Sequence, residues 1–364
     1  MKYAVNFAVG PEQISPRRQR HITVVLCFAL IAASALGGTG QYRVLPAIQR
    51  GNLAIFPVVA DQPWNTSSLL TLDEGVRSGQ VVVTEAGADR GLVRPGQRIP
   101  YNGGDEVNRL VLYNNSSRPL LLLAGEIVTG GKQDRVIGAD RIVPPNGGPV
   151  DLDVFCVEPG RWTGPTPKFG SMGAQMAQPS VRMPAMAEHN QSEVWQNVRT
   201  SNAKVEGAVS GMAPGQIDGT TSYAKVFESA PVQERIAGYG GIEGEQAILS
   251  ELRGKGAVGV VVAVNGRIVW ADIFASTDLL SRYWTKLMRS YVAEAMTSVA
   301  AGGAPNLHDA EYCVDNLQGA REISETEAGV FRRTDATGDG YRVFTLRSLL
   351  PGKDFDVHIT KIIE

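Results

Sequence analysis

The sequence predicts an α+β protein. A β-rich, antiparallel, sandwich-like or barrel-like N-terminal part is followed by helices, a β-hairpin packed on a long helix, and closing strands. Three observations carry this. Between residues 54 and 158, short β-branched or alternating runs recur, with turn residues about every 8–12 positions. Asn265-Gly266 separates the apolar runs Val258–Val264 and Ile268–Phe274, which is the signature of a two-residue type I′ hairpin. Leu280, Trp284, Leu287, Tyr291 and Ala295 then recur at helical spacing within Leu279–Val299, an amphipathic helix packed on that hairpin.

Taken in order, the first segment stands apart. Arg17, Arg18 and Arg20 precede the apolar run Ile22–Leu36, whose 15 residues fall short of a bilayer span, for which about 20 are needed. Ala33-Ser34-Ala35 supplies a small-residue cleavage site. Residues 1–35 are therefore expected to be a secretory signal peptide, the alternative being an uncleaved N-terminal anchor. The expected location is extracytoplasmic, periplasmic or secreted, with membrane contact only through residues 22–36 if they are retained.

A single α+β domain is expected over 52–364. Its β-rich part covers 52–162. Ala54–Val59 is a strand placed at a sheet edge by Pro57, and Thr71-Leu72-Asp73-Glu74 is a capping box that opens a short helix. Gln80–Glu85, Val107–Tyr113, Leu120–Leu123 and Val150–Val157 are strands. Residues 163–190, rich in Pro, Gly, Ala, Ser and Met, are expected to form a loop. The mixed part, 191–364, holds helices over Glu193–Val205, Ser222–Ser229, Pro231–Ile236 and Glu245–Leu252, then the hairpin and long helix. It closes with strands over Val330–Arg333, Tyr341–Leu346 and Phe355–Ile363.

Composition narrows function by exclusion. A 43% hydrophobic content argues against disorder, and a net charge of -2 leaves no electrostatic footprint for nucleic acid. Of the three Cys, Cys27 lies in the apolar leader, so Cys156 and Cys313 are the pair available for a disulfide in an oxidising compartment. The sequence has no phosphate-binding loop, nucleophile elbow or paired zinc-ligand motif. His189, His308 and His358 lie far apart and are each read as solvated or hydrogen-bonded surface residues. Asp335–Gly340 resembles half a calcium loop, but Leu346 stands where the bidentate Glu belongs, so a hairpin turn is expected. Met172, Met176, Met183 and Met186 are read as apolar packing in preference to a Cu(I) site. No metal and no cofactor is expected.

Two polar motifs remain. Gly125–Arg135 follows a buried strand and Cys156–Trp162 ends another. Glu126 and Glu158 are candidates for acid/base work if the strand ends converge. Lys132, Gln133, Arg135 and Arg161 are candidates for holding an anionic group beside the Gly130-Gly131 turn, and Trp162 for stacking on a ring. Cys156 is a further candidate, weaker as a nucleophile because neither motif holds a His to activate it. The competing reading is an ion-pair network that ties strand ends together.

The same two motifs, Leu-Ala-Gly-Glu126-Ile-Val-Thr-Gly-Gly-Lys132-Gln133-Asp134-Arg135 and Val154-Phe-Cys156-Val-Glu158-Pro-Gly-Arg161-Trp162, resemble the ADP-ribosylglycohydrolase- and rhodanese-phosphatase-associated protein domain family. Phe56-Pro57, Leu70–Glu74, Val83–Glu85, Gln191–Trp195 and the hairpin-helix with Trp284 extend the resemblance over most of 52–300. Asp134 departs from the Asn that commonly follows Lys-Gln in the family. The resemblance implies that Glu126, Lys132, Gln133, Arg135, Cys156, Glu158, Arg161 and Trp162 form one spatial cluster. Through the family's associations it also implies a nucleotide or ADP-ribose-like ligand, and it implies no reaction. The function expected is an exported, non-catalytic binding or interaction module with any ligand at these motifs. The alternative is a hydrolase or binding protein for an anionic nucleotide-like ligand. The partner is a small anionic ligand or an envelope protein.

Overall fold

The computed structural model describes residues 41–85, 109–160, 168–209, 220–298, 303 and 305–364. The expected signal or anchor segment lies outside them, as do Arg161 and Trp162. No helix among the described residues is long and apolar enough to cross a membrane.

The chain opens with β1 (Tyr42–Val44) and β2 (Ile48–Arg50), both antiparallel to β3 (Leu53–Ala60). β4 (Leu70–Thr71) leads into α1 (Leu72–Arg77) through the expected capping box. Thr71 Oγ1 accepts the Glu74 N–H at 3.3 Å, and Glu74 Oε2 accepts the Thr71 N–H at 3.0 Å. Next come β5 (Val81–Glu85), β6 (Arg109–Asn114), β7 (Leu120–Leu122), β8 (Glu126–Gly130), β9 (Arg135–Ile137), β10 (Arg141–Val143), β11 (Val150–Cys156) and β12 (Lys168–Met176). α2 (Pro179–Met183) passes into a single π-helical turn at Pro184–Glu188. α3 (Gln191–Val209), α4 (Tyr223–Glu228), α5 (Ala230–Ala237) and α6 (Gly241–Gly254) follow. β13 (Ala257–Val264) and β14 (Arg267–Phe274) form the hairpin, with Val264 facing Arg267 across Asn265-Gly266. The chain ends with α7 (Thr277–Thr297), α8 (Leu307–Asp315), β15 (Arg321–Glu327), β16 (Phe331–Thr337), β17 (Tyr341–Leu350) and β18 (Lys353–Ile363).

The strands form three sheets. A nine-stranded antiparallel sheet runs β1-β3-β13-β14-β18-β17-β16-β15, with β2 also on β3. Six strands close into a barrel, β11-β6-β5-β12-β8-β9. A three-stranded sheet, β10-β7-β4, packs its Leu70, Leu120, Leu122 and Val143 into the barrel core. Strand alternation sets the barrel's two faces. Val128, Ile137 and Val154 fill the inside, while Ile127, Val136 and Phe155 turn outward to meet α2, α3 and α4. The large sheet is covered on both faces. Val260, Val262, Trp270 and Phe274 pack on α7, and Phe56, Val261 and Ile273 pack on the α8 side.

Three expectations change. Pro57 lies in the sheet interior, because β3 is flanked by β13 on one side and by β1 and β2 on the other. The Pro57 carbonyl accepts the Leu45 N–H. Its missing N–H therefore faces the interruption between β1 and β2, where no ladder bond is lost. Residues 168–188 are not a loop. Lys168–Met176 pairs with β5 and β8 to close the barrel, and Met176, Val181, Ala185 and Met186 are core residues. Pairing on both sides is a backbone property and leaves no hydrophobic period to read. His358 is not at the surface but fully buried. The Asp335–Gly340 segment is the β16–β17 hairpin, as expected. Cys156 lies on β11 and Cys313 on α8, and no disulfide joins them.

His358 belongs to a polar cluster where the large sheet meets the barrel side of the molecule. Asp272 on β14 accepts both guanidinium arms of Arg182, at 3.2 and 3.3 Å. It also accepts the Thr360 hydroxyl at 2.9 Å and the Tyr291 hydroxyl of α7. His358 bridges Asp272, at 3.2 Å from Nε2, and Asp140, at 2.6 Å from Nδ1. Trp270 lies under the Arg182 guanidinium and Phe274 stacks on the imidazole. Gly125 permits the approach: a Cβ there would stand 2.6 Å from Arg182 Nε, and its φ is +93°. Burial opposes charge on Asp272, but Arg182 and His358 outweigh it and hold the carboxyl well below the usual range. Burial also opposes charge on His358, but Asp140 and Asp272 push its pKa up to about 9.

Removing one member of such a cluster strands the others. Asp272→Ala is expected to cost about 3–5 kcal/mol in denaturant unfolding. Stability owed to the His358 imidazolium is complete below the ordinary value of 6.5 and is lost as pH rises through about 9. Melts of the parent chain and His358→Gln should therefore differ most at about pH 6 and converge by several degrees toward about pH 10. A constant difference across that range overturns the assignment.

Candidate functional site

The Gly125–Arg135 motif spans β8 and the turn into β9. Its counterpart is the end of β11, and the registers Val128↔Arg135 and Arg135↔Cys156 make these neighbours across the barrel wall. The backbone thus brings Arg135 and Cys156 side by side. The side chains, however, gather around two centres, Glu126 and the β8–β9 turn.

The first is built on Glu126. It is fully buried at the start of β8. Its Oε1 lies 2.7 Å from Lys286 Nζ on α7, and its Oε2 accepts the Leu123 N–H at 2.7 Å. The same ammonium lies 2.6 Å from Asp73 on α1. Burial pushes the Glu126 carboxyl up against the pull of Lys286. Burial also opposes charge on Lys286, but the Glu126 and Asp73 carboxylates outweigh it and raise its pKa. Two carboxylates sharing one ammonium cannot both be fully neutralised. Nevertheless, every Glu126 oxygen has a partner inside the protein.

The second network occupies the β8–β9 turn. Asp134 Oδ1 accepts the Gly130 N–H at 3.1 Å and its Oδ2 accepts the Ser222 hydroxyl at 2.9 Å. Glu85 Oε1 accepts the Lys132 N–H at 2.9 Å. The Gly-Gly turn does present backbone N–H groups to anions, and those anions are the chain's own carboxylates. Gly131 makes this possible, with φ at +52° and a would-be Cβ 2.5 Å from the Glu85 oxygen. Arg135, fully buried, donates to the Gln133 carbonyl at 2.6 Å and lies 4.0 Å from Glu85. Glu158 Oε2 accepts the Asp134 N–H at 3.4 Å, and Oε1 sits 3.9 Å from Lys225. Cys156 exchanges two backbone hydrogen bonds with the Gln191 amide, at 2.8 and 3.0 Å. Burial pushes its thiol up to about 11, against the influence of Arg135. That disfavours the thiolate and hence nucleophilic work. Gln133 is the exception in this set: its side-chain amide is fully buried, and neither its oxygen nor its nitrogen has a hydrogen-bond partner.

The expected single cluster is therefore divided. Gln133, Arg135, Cys156 and Glu158 gather at one barrel end with the Lys132 backbone, while Glu126 is bound into the α1–α7 network. Arg161 and Trp162 lie outside the described residues. Asp73, Lys286, Arg182, Asp272 and Asp140 escaped sequence reasoning. Two of them carry a signal in the pattern: Lys286 falls on the apolar face of α7, and Asp272 sits between Trp270 and Phe274 on the core side of β14. Two cavities, of about 450 and 320 Å³, are lined by other residues: the first by α5, α6 and α7, the second by the Gly138–Asp140 turn, the π-helical turn and the outer strands β15–β17.

No curated protein and no solved structure matches this chain. One family does, that of the ARG and Rhodanese-Phosphatase-superfamily-associated Protein domain, whose model covers residues 41–360, from β1 into β18. With nearly the whole described fold inside that match, the chain belongs to the ARG and Rhodanese-Phosphatase-superfamily-associated Protein domain family.

Proposed function

We propose that this protein is an exported, non-catalytic binding module that takes a small anionic ligand at the barrel end formed by the β8–β9 turn. The observation that carries the reading is Gln133. A buried, unsatisfied amide costs about 1–3 kcal/mol, and native proteins settle such groups with water or ligand. Here both polar atoms of the amide are unsatisfied, in the turn that also holds Arg135. A ligand with one donor and one acceptor supplies what the Gln133 amide lacks, and the neighbouring guanidinium of Arg135 favours an anionic one. The family's association with ADP-ribosylglycohydrolase enzymes supports ADP-ribose and related nucleotides as the first compounds to test. Binding is favoured over hydrolysis because Glu126 is engaged in a buried pair with Lys286, and Glu158 accepts the Asp134 N–H and lies 3.9 Å from the exposed Lys225 ammonium. Export rests on the basic and apolar stretch at 17–36 and implies an extracytoplasmic ligand or an envelope partner.

Thermal-shift titration with ADP-ribose, AMP and inorganic phosphate tests this. A ligand at a hundredfold its Kd is expected to add about 2.7 kcal/mol. Gln133→Leu should abolish the shift while leaving the melting point of the unliganded chain equal or higher, since it removes the unsatisfied group. The ligand should be recovered intact after prolonged incubation. A flat screen, a shift that survives Gln133→Leu, or turnover of the ligand each overturns the proposal.

A further inference from the structure

The second of the two cavities uses none of the motif residues. It is a cleft of about 320 Å³ whose lining includes Asp140, Met186, Ile323, Asp335, Arg342 and Phe344. That volume lies within the range of small-molecule sites, about 300–1,000 Å³. We infer that this cleft is a ligand site for a compact organic cation of amine or guanidinium type, anchored by Asp140 and Asp335.

The floor is Asp140, in the turn between β9 and β10. It is 4% exposed and yet lines the cleft. Its Oδ1 accepts the Ala124 N–H at 2.7 Å and its Oδ2 meets His358 Nδ1 at 2.6 Å. An ionised carboxylate offers about four lone-pair sites, so each oxygen keeps capacity for one more donor. The wall is Asp335 on β16. Its Oδ2 binds Arg342 Nη2 at 3.0 Å, whereas its Oδ1 is buried and has no hydrogen-bond partner. Two carboxylate residues thus line one cleft with acceptor capacity unspent, which is what an N–H-rich cation requires.

The charges around the cleft agree. Arg333 is taken by Glu325, and Arg342 is shared among Asp335, Glu188 and the Ala187 carbonyl. Both arginines are therefore already paired with carboxylates of the chain. Asp140, Glu188, Glu325 and Asp335 outnumber Arg333 and Arg342, and the His358 imidazolium behind Asp140 offsets one carboxylate more. The remaining excess is negative. Met186, Phe344 and Ile323, the last 58% exposed, supply an apolar surface for the carbon body of such a ligand. Arg342 Nε is also buried without an acceptor, so a hydroxyl or carbonyl beside the cationic group adds a further contact.

The test is calorimetric titration of the full chain with agmatine, glucosamine and spermidine, with succinate as the anionic control. At least one cation should bind and succinate should not. Asp335→Asn, at a partly exposed position, should weaken binding about tenfold or more, as loss of a charge-assisted hydrogen bond does, with the melting point unchanged. Asp140→Asn should weaken it too, and Asp335→Asn keeps the test valid if that variant is unstable. Gln133→Leu should leave cation binding untouched, which separates this site from the barrel end. The proposal is overturned if none of the cations binds, if succinate binds instead, or if Asp335→Asn retains full affinity.

Discussion

Asp272 is the interaction on which the rest of the structure depends. One carboxylate, in the middle of a strand buried on both faces, receives Arg182 from α2, Tyr291 from α7, and His358 and Thr360 from β18. Through His358 the cluster reaches Asp140, at the turn that joins the barrel to the three-stranded sheet. Hydrophobic packing between the layers is broad and tolerant of sliding. A bidentate guanidinium pair and a doubly bonded imidazolium are not. They fix how the helical layer and the barrel turns sit on the large sheet, and they set the depth of the cleft whose floor is Asp140.

Much of the fold was legible in the sequence because it rests on local rules. Thr71 and Glu74 announce a capping box, Asn265-Gly266 a tight hairpin, and Leu280 to Ala295 a helix face, and each needs only neighbours within a few residues. What was not legible depends on partners far along the chain. Pro57 reads as an edge residue until β1 and β2 are seen to leave a gap opposite it. Lys168–Met176 looks like a linker because its order comes from strands on either side. β15 and α8 lack a strong period, so nothing local marks them.

The turn at Gly125–Arg135 was legible in the sequence, and its bonding was not. Residue types alone mark Gly125–Arg135 as unusual, and the structure agrees that the turn gathers charge. The sequence could not say where each side chain spends that charge. Glu126 turns to Lys286, 160 positions away, and Asp134 turns to Ser222. The acidic groups of the two motifs, Glu126, Asp134 and Glu158, each accept a backbone N–H from inside the protein. A motif can be distinctive because a barrel end is hard to build, and in its described part the Gln133 amide points to something the chain does not itself provide.

The outermost strand carries a consequence for the protein in solution. β15 ends the large sheet, and no described strand pairs with its far side. Seven residues of backbone N–H and C=O groups there form a template on which a second chain could grow a continuous sheet. The sequence on that template is Arg-Glu-Ile-Ser-Glu-Thr-Glu, and nearly all of it is exposed. Three glutamates stand on this edge, so a second copy would bring like charge toward it. Charged side chains along an open edge are the means by which sheets discourage edge-to-edge growth, and β15 carries four of them in seven residues.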